Sequence, residues 1–246
     1  MAKVFIGIGH GGSDPGAVAN GFEEADLNLA IGIACVNELK RHGVNVVASR
    51  TKDENDTLSD EVAECNKFDP DLAVDIHNNA GGGDGAEVFH SKNGGKGKIL
   101  AQNILNEVVA IGQNSRGVKT RVNSAGRDYY GFIRETVAPA VIIECAFVDN
   151  KTDMKIIDTA AEQKAFGKAI AKGVLKTLGI AYKKEETKVA KTKFKDEAKI
   201  PSWALASIKK VSDAGIMNGD GNGNFNPNAS VTRAELAVAL ANALKL

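Results

Sequence analysis

The sequence predicts an α/β domain, with a sheet covered by helices on both faces, followed by a small helical module. Three observations carry this. Short apolar or β-branched runs recur along residues 1–180. Between them lie longer stretches with apolar residues at helical spacing, and strands interleaved with helices make layered α/β structures. After residue 180 the composition becomes highly charged, and an apolar, turn-rich unit then runs from Phe194 to Leu246.

Val4–Ile8, Val44–Ala48, Leu72–Ile76, Ala86–Phe89 and Val141–Ala146 read as strands. Glu24–Lys40 reads as a helix, because Leu27, Ala30, Ile31, Ala34, Cys35 and Leu39 share one stripe. Gly43 is placed to stop it. Ile99–Ile111 and Ala161–Leu178 repeat the helical pattern. Residues 181–193 read as a solvated linker. In the unit 194–246, Pro201 suits the first turn of a helix carrying Trp203, Ala204, Ile208 and Val211 on one side. Thr232-Arg-Ala-Glu235 is a capping box that opens a second helix.

Composition excludes several classes. Lys+Arg and Asp+Glu both number 31 of 246 residues, so no broad basic field exists to hold nucleic acid. No apolar run reaches the length of a membrane span. The N-terminal apolar stretch is short and no Ala-x-Ala site follows it, so it reads as a first strand, and the chain is expected to be made and folded in the cytoplasm. Cys35, Cys65 and Cys145 are far apart and odd in number, which argues against a disulfide framework or a thiolate metal site.

The chemistry gathers at strand ends. His10 follows the first strand among glycines, Glu24 opens the first helix, His77 ends a second strand, and Glu144 lies within a third. If these strands are neighbours, their ends converge on one pocket. Two imidazoles and a carboxylate suit a zinc ion and leave a position for water, while a further carboxylate can move that water's proton. Each residue also has a plainer reading. A histidine at a strand end is commonly a hydrogen-bonded structural group, and Glu24 can serve the helix dipole. An acid between Ile143 and Cys145 is harder to explain by packing, because burying it unpaired is costly. Spacing alone leaves both readings of the metal site open.

Four blocks resemble one family. They are Gly9-His10-Gly11-Gly12-x-Asp14-x-Gly16-Ala17, Gly21-x-x-Glu24-x-Asp26-Leu27-Asn28-Leu29, Asp75-Ile76-His77-Asn78-Asn79-Ala80, and Pro139-Ala140-Val141-Ile142-Ile143-Glu144-x-x-Phe147-x-x-Asn150. Together, and in this order, they resemble the zinc-dependent N-acetylmuramoyl-L-alanine amidases of the third type. The resemblance covers residues 1 to 178. It implies a twisted, mostly parallel sheet with helices on both faces. It also implies Zn²⁺ on His10, Glu24 and His77, Glu144 as acid and base, and the lactyl–L-alanine amide of peptidoglycan as substrate. Asn78, Asn79 and Arg134 are candidate substrate contacts, with loop hydrogen bonding or a solvated charge as the alternative. Cys145 departs from the small or hydroxylated residue common after the catalytic acid, and strand alternation turns it away from Glu144. Residues 81–85 pass directly into the next strand, so an open cleft without an inhibitory helix is expected. His42 reads as a helix-end residue and His90 as a surface residue at a strand end.

Residues 194–246 resemble a single S-layer homology module, carried by Phe194-Lys-Asp-Glu, Trp203, the Asn218–Asn226 turn and Val231-Thr-Arg-Ala-Glu235. This implies binding of secondary cell-wall polysaccharide, with Arg233 as the candidate glycan contact. A single copy implies weak binding or a homotrimer through this module. The Asp220–Asn224 loop lacks the sixth-place glycine and twelfth-place glutamate of a calcium loop, so it reads as a turn.

The expected protein is therefore a phage-type peptidoglycan amidase, or less simply a host autolysin, released to act on a Gram-positive wall. The alternatives are a zinc peptidase that cuts within the stem peptide and a non-catalytic wall-binding protein.

Overall fold

The computed structural model describes residues 1–184 and 192–244. The chain divides into two units, Met1–Lys183 and Lys184–Leu246. The predicted linker at 181–193 falls largely outside the described residues. Where it is described it departs from a solvated tail. Tyr182 stacks on His42, with ring centroids 4.9 Å apart, and the Lys183 amide donates to His42 Nε2 at 2.9 Å.

The first unit runs β1 (Lys3–Ile8), β2 (Val18–Ala19), β3 (Phe22–Glu23), α1 (Glu24–Arg41), β4 (Asn45–Ala48), α2 (Leu58–Phe68) and β5 (Leu72–Asn79). It continues through β6 (Ala86–His90), α3 (Gly95–Val109), β7 (Ser115–Lys119), α4 (Gly131–Glu135), β8 (Ala140–Phe147), α5 (Lys151–Met154) and α6 (Ala160–Leu178). The main sheet has the order β4-β1-β5-β8-β6-β7. Strands β4, β1, β5 and β8 are parallel; β6 pairs antiparallel with β8, and β7 runs parallel to β6. The sheet is thus mostly parallel, as predicted.

Strand alternation sorts the core into two layers. Val4, Ile6, Ile8, Val74, Ile76 and Ile143 pack with residues of α1, α3 and α6. Phe5, Ala73 and Ile142 pack with Val62 and Cys65 of α2 and Phe132 and Ile133 of α4. Helices on both faces explain why the strands are apolar throughout. Helix α1 stops where expected: the His42 and Gly43 amides bond the Leu39 and Lys40 carbonyls, and Gly43 has φ +76°. Helix α6 begins with a full capping box between Thr159 and Glu162.

His90 corrects its sequence reading. It ends a strand, but it is buried at 6% exposure, and its Nδ1 lies 2.8 Å from the Ser91 carbonyl. Helix α3 packs beside it: a β-carbon on Gly97 would lie 4.0 Å from His90 Cβ. Residues 80–85 contain no helix, in line with the open loop expected there.

The second unit holds a 3-10 turn (Glu197–Lys199), α7 (Ser202–Asp213) and α8 (Arg233–Leu244). Its core is Phe194, Ile200, Ala204, Leu205 and Ile208, with Phe225 packed against it. Trp203 departs from the reading that placed it beside Ala204 and Ile208: it is 84% exposed. The inward stripe of α7 runs through Ala204, Leu205 and Ile208, and Trp203 lies outside that arc. The capping box of α8 forms, since Thr232 and Glu235 each accept from the other's backbone amide. Asp220 accepts from the Asn222 and Asn224 amides at 2.9 and 3.0 Å, the turn chemistry expected for this loop. No helix among the described residues is long and apolar enough to cross a membrane.

Candidate active site

The site lies at the carboxyl ends of β1, β5 and β8, three adjacent strands. β1 runs out into a glycine-rich turn in which His10 has φ +64°. The buried Arg50 guanidinium holds this exit, donating to the carbonyls of Ile8 at 2.9 Å and Ala25 at 2.6 Å. Glu24 begins α1 and is buried. Its Oε1 lies 3.3 Å from His10 Nε2 and 3.1 Å from His77 Nδ1, and its Oε2 accepts from the Ala17 amide at 3.0 Å. The two imidazole rings meet edge to face at 5.0 Å. Close approach requires glycine behind the cluster: a β-carbon on Gly9 would stand 2.1 Å from His77 Cε1.

One ligand atom each from His10, Glu24 and His77 lies within 4.8 Å of the others, a span that one divalent ion can bridge. The far side of each ring has a carboxylate. His10 Nδ1 lies 2.8 Å from Asp14 Oδ2, and His77 Nε2 lies 3.2 Å from Asp75 Oδ2. Such outer carboxylates orient imidazole ligands and fix which nitrogen faces inward. The donor set and its outer partners therefore fit a zinc ion.

Electrostatics follow from the crowding. Burial opposes ionisation of Glu24, but hydrogen bonds with His10 and His77 prevail and hold its carboxyl far below the usual range. Burial works against a charged His77, yet the Asp75 and Glu24 carboxylates drive its pKa well up. Glu144 sits opposite His77 in the β5–β8 register, on the same face of the sheet. Its Oε2 is buried without a partner. Burial pushes its carboxyl up to about 7; His77 opposes this, while Glu24, Asp75 and Glu87 reinforce it. A carboxyl with a pKa near neutrality can both accept and return a proton.

The structure thus brings His10, Glu24, His77 and Glu144 together. Cys145 points the other way, fully buried in the α1–α3–α6 layer. Asn78 also faces away from the cleft. It is buried, its amide side chain donates to Asn28 Oδ1 at 2.8 Å, and its backbone N–H donates to Glu24 Oε1 at 3.0 Å, so it supports the glutamate. Asn79 faces the cleft side and donates to Glu87 Oε1 at 3.2 Å. Arg134 donates to the Asp128 and Tyr129 carbonyls at 2.9 and 2.7 Å and to Glu135, bracing the loop before α4. Arg233 lies apart in the second unit, exposed at the start of α8.

A recess of about 260 Å³ opens beside the cluster, lined by His10, His77, Asp75, Glu61, Tyr130 and Phe132 among others. Asp75, Glu61, Glu87 and Arg50 were not singled out from the sequence. Asp75 was within reach, since alternation puts it on the face of His77. Glu61 was not, because α2 carries too short an apolar pattern to be recognised.

A histidine–glutamate–histidine cluster that could hold a metal ion, with an adjoining carboxylate, at the carboxyl edge of a mostly parallel sheet, is an arrangement suited to hydrolysis. Comparison with known proteins is specific. Residues 4–176 match the family described as N-acetylmuramoyl-L-alanine amidase, and residues 193–237 match the S-layer homology domain. The chain is 31% identical over 225 residues to the N-acetylmuramoyl-L-alanine amidase CwlM of Bacillus licheniformis, covering 89% of this chain and 86% of that one. The structure of Cwp6 from Clostridium difficile superposes with a TM-score of 0.70 at 38% identity, covering 72% of this chain and 29% of Cwp6. That of the N-acetylmuramoyl-L-alanine amidase AmiC2 of Nostoc punctiforme gives 0.66 at 26% identity, covering 72% and 97%. The chain belongs to the N-acetylmuramoyl-L-alanine amidase family of peptidoglycan hydrolases, and it carries an S-layer homology domain.

Proposed function

We propose that this protein cleaves the amide between the lactyl group of N-acetylmuramic acid and L-alanine, with zinc on His10, Glu24 and His77 and with Glu144 as general acid and base. The observation that carries this reading is the register of β5 and β8, which seats Glu144 beside His77 and hence beside the three convergent ligands. A zinc ion held there supplies Lewis acidity toward a carbonyl and makes a bound water more acidic. Glu144 takes a proton from the attacking water and delivers it to the departing alanine nitrogen. Burial keeps its proton affinity high enough for both transfers. Asp14 and Asp75 orient the two imidazoles, and Asn78 orients Glu24. The second unit holds the enzyme to secondary polysaccharide of a Gram-positive wall, with Arg233 as a glycan contact.

The test is mass spectrometry of purified walls after digestion, with and without a zinc chelator. Stem peptides with a free L-alanine amino end, intact glycan strands, and activity lost on chelation and restored by zinc are the expected result. Cuts within the stem peptide would reassign the enzyme as a peptidase. Binding without any soluble product would leave a wall-binding protein.

A further inference from the structure

We propose that Arg116 and Lys119, anchored on Glu87, form a subsite for a carboxylate of the peptide released by the reaction, on the second or third residue beyond the scissile amide. The proposal rests on the amidase reading above.

The strand register lays out a row across one face of the sheet. His77 on β5 is opposite Glu144 on β8, and Glu144 is opposite Glu87 on β6. β7 runs along β6 with a register shift between Ala86↔Ser115 and Val88↔Val118, and this places both Arg116 and Lys119 on Glu87. The row therefore leads from the ligand cluster, past the proton-transferring carboxyl, to a pair of cations at the sheet edge.

Glu87 is buried and its carboxylate is fully engaged. Oε1 accepts from the Asn79 amide at 3.2 Å, while Oε2 accepts from Arg116 Nε at 2.8 Å and from Lys119 Nζ. One cation would neutralise this carboxylate, so two leave a surplus positive charge. Arg116 commits only its Nε to Glu87. Its guanidinium lies over the Phe147 ring, 4.8 Å from the centroid, which fixes its plane. Both cationic side chains are 35% exposed. The result is a planar donor group, held rigid from behind and open to solvent, which is the geometry that favours a carboxylate.

Charge on the opposite side of the cluster points the same way. Asp14, Asp56 and Asp75 line the recess on the β1–α2 side. A peptide carboxylate is repelled there and attracted toward β7, so the field sets the direction in which the peptide lies. Two strand spacings separate Glu144 from Arg116, about 10 Å. An extended peptide covers that distance in about three residues, which selects the second or third residue.

The test uses the zinc-loaded full chain and synthetic N-acetylmuramoyl tripeptides. Each pair differs only by a free carboxylate or a carboxamide, at the second or at the third residue. The readout is the ratio of kcat/KM within a pair. The wild type is expected to favour the carboxylate by about tenfold or more at one of the two positions, the scale of one charge-assisted hydrogen bond. Arg116→Gln should bring that ratio close to one, while Arg116→Lys retains part of it. Lys119 still partners Glu87 in both variants, and an unchanged melting temperature checks that they fold. No preference in the wild type at either position overturns the subsite, as does a preference that survives both Arg116→Gln and Lys119→Gln. Failure of the wild type to cleave any of these substrates at the lactyl–alanine bond overturns the amidase reading, and the subsite with it.

Discussion

Replacing Glu144 by Gln should cut hydrolysis by orders of magnitude and also stabilise the metal-free protein at alkaline pH. The carboxyl has a pKa of about 7 in the fold against an ordinary 4.5, chiefly because it is buried beside Glu24, Asp75 and Glu87. A raised carboxyl pKa means that the folded state binds more protons than the unfolded chain between those two values, so stability falls as pH rises through the window. The penalty is absent below pH 4.5 and complete above about pH 7. A shift of that size converts to about 3 kcal/mol, and relaxation and water penetration around the charged form reduce it to about 1–2 kcal/mol. Gln keeps the shape and removes the charge. In a domain of this size each kcal/mol moves Tm by about 2–4 °C. Thermal unfolding in chelator should therefore show Glu144→Gln melting a few degrees above wild type at pH 8, with the gap closing toward pH 5. Equal melting temperatures at pH 8, or a less stable variant, would refute the reasoning, because the charge would then not be held unfavourably. Activity should fall by about 10²–10⁴, the usual scale of lost proton transfer.

Gly9→Ala should cripple zinc binding without touching a ligand, because the new β-carbon would stand 2.1 Å from His77 Cε1 and displace the ring; calorimetric titration giving a wild-type zinc affinity would contradict the placement of that strand. Thr159→Ala removes the hydroxyl that caps α6 and should lower stability by about 1 kcal/mol, read as a Tm drop with zinc affinity unchanged. Arg233→Gln, introduced into the inactive Glu144→Gln chain, should reduce retention on purified Gram-positive walls, and retention equal to the parent would remove Arg233 from the glycan contact.

Much of this molecule was legible from local pattern. The stripe through Leu27, Ile31, Cys35 and Leu39 located α1 to within a residue of its end, and the apolar runs located five strands. What escaped was weakly patterned. Helix α2 buries only Val62 and Cys65 as apolar groups, and α4 is a five-residue turn beside a loop. β7 is a polar edge strand with Ser115 and Arg116 exposed. Trp203 misled because an indole is expected inside, whereas its position on α7 leaves it facing solvent. Arg134 and Asn78 stood in motifs beside the site, yet one braces a loop and the other supports Glu24.

The sequence by itself determined the strongly patterned elements and the residue types gathered in the glycine-rich turn, the start of α1 and the ends of β5 and β8. These depend on periodicity, capping and turn chemistry within a few residues. Tertiary structure alone decided which groups face each other. The 67-residue step from His77 to Glu144 is closed by a parallel pairing, and the link from Glu144 to Glu87, Arg116 and Lys119 by an antiparallel pairing and a register shift. Such contacts depend on strand order and on which face each side chain takes, and a one-residue slip in register would send them all to the other face of the sheet. The raised pKa of Glu144 has the same origin, because burial and neighbouring charge come from segments that are distant along the chain.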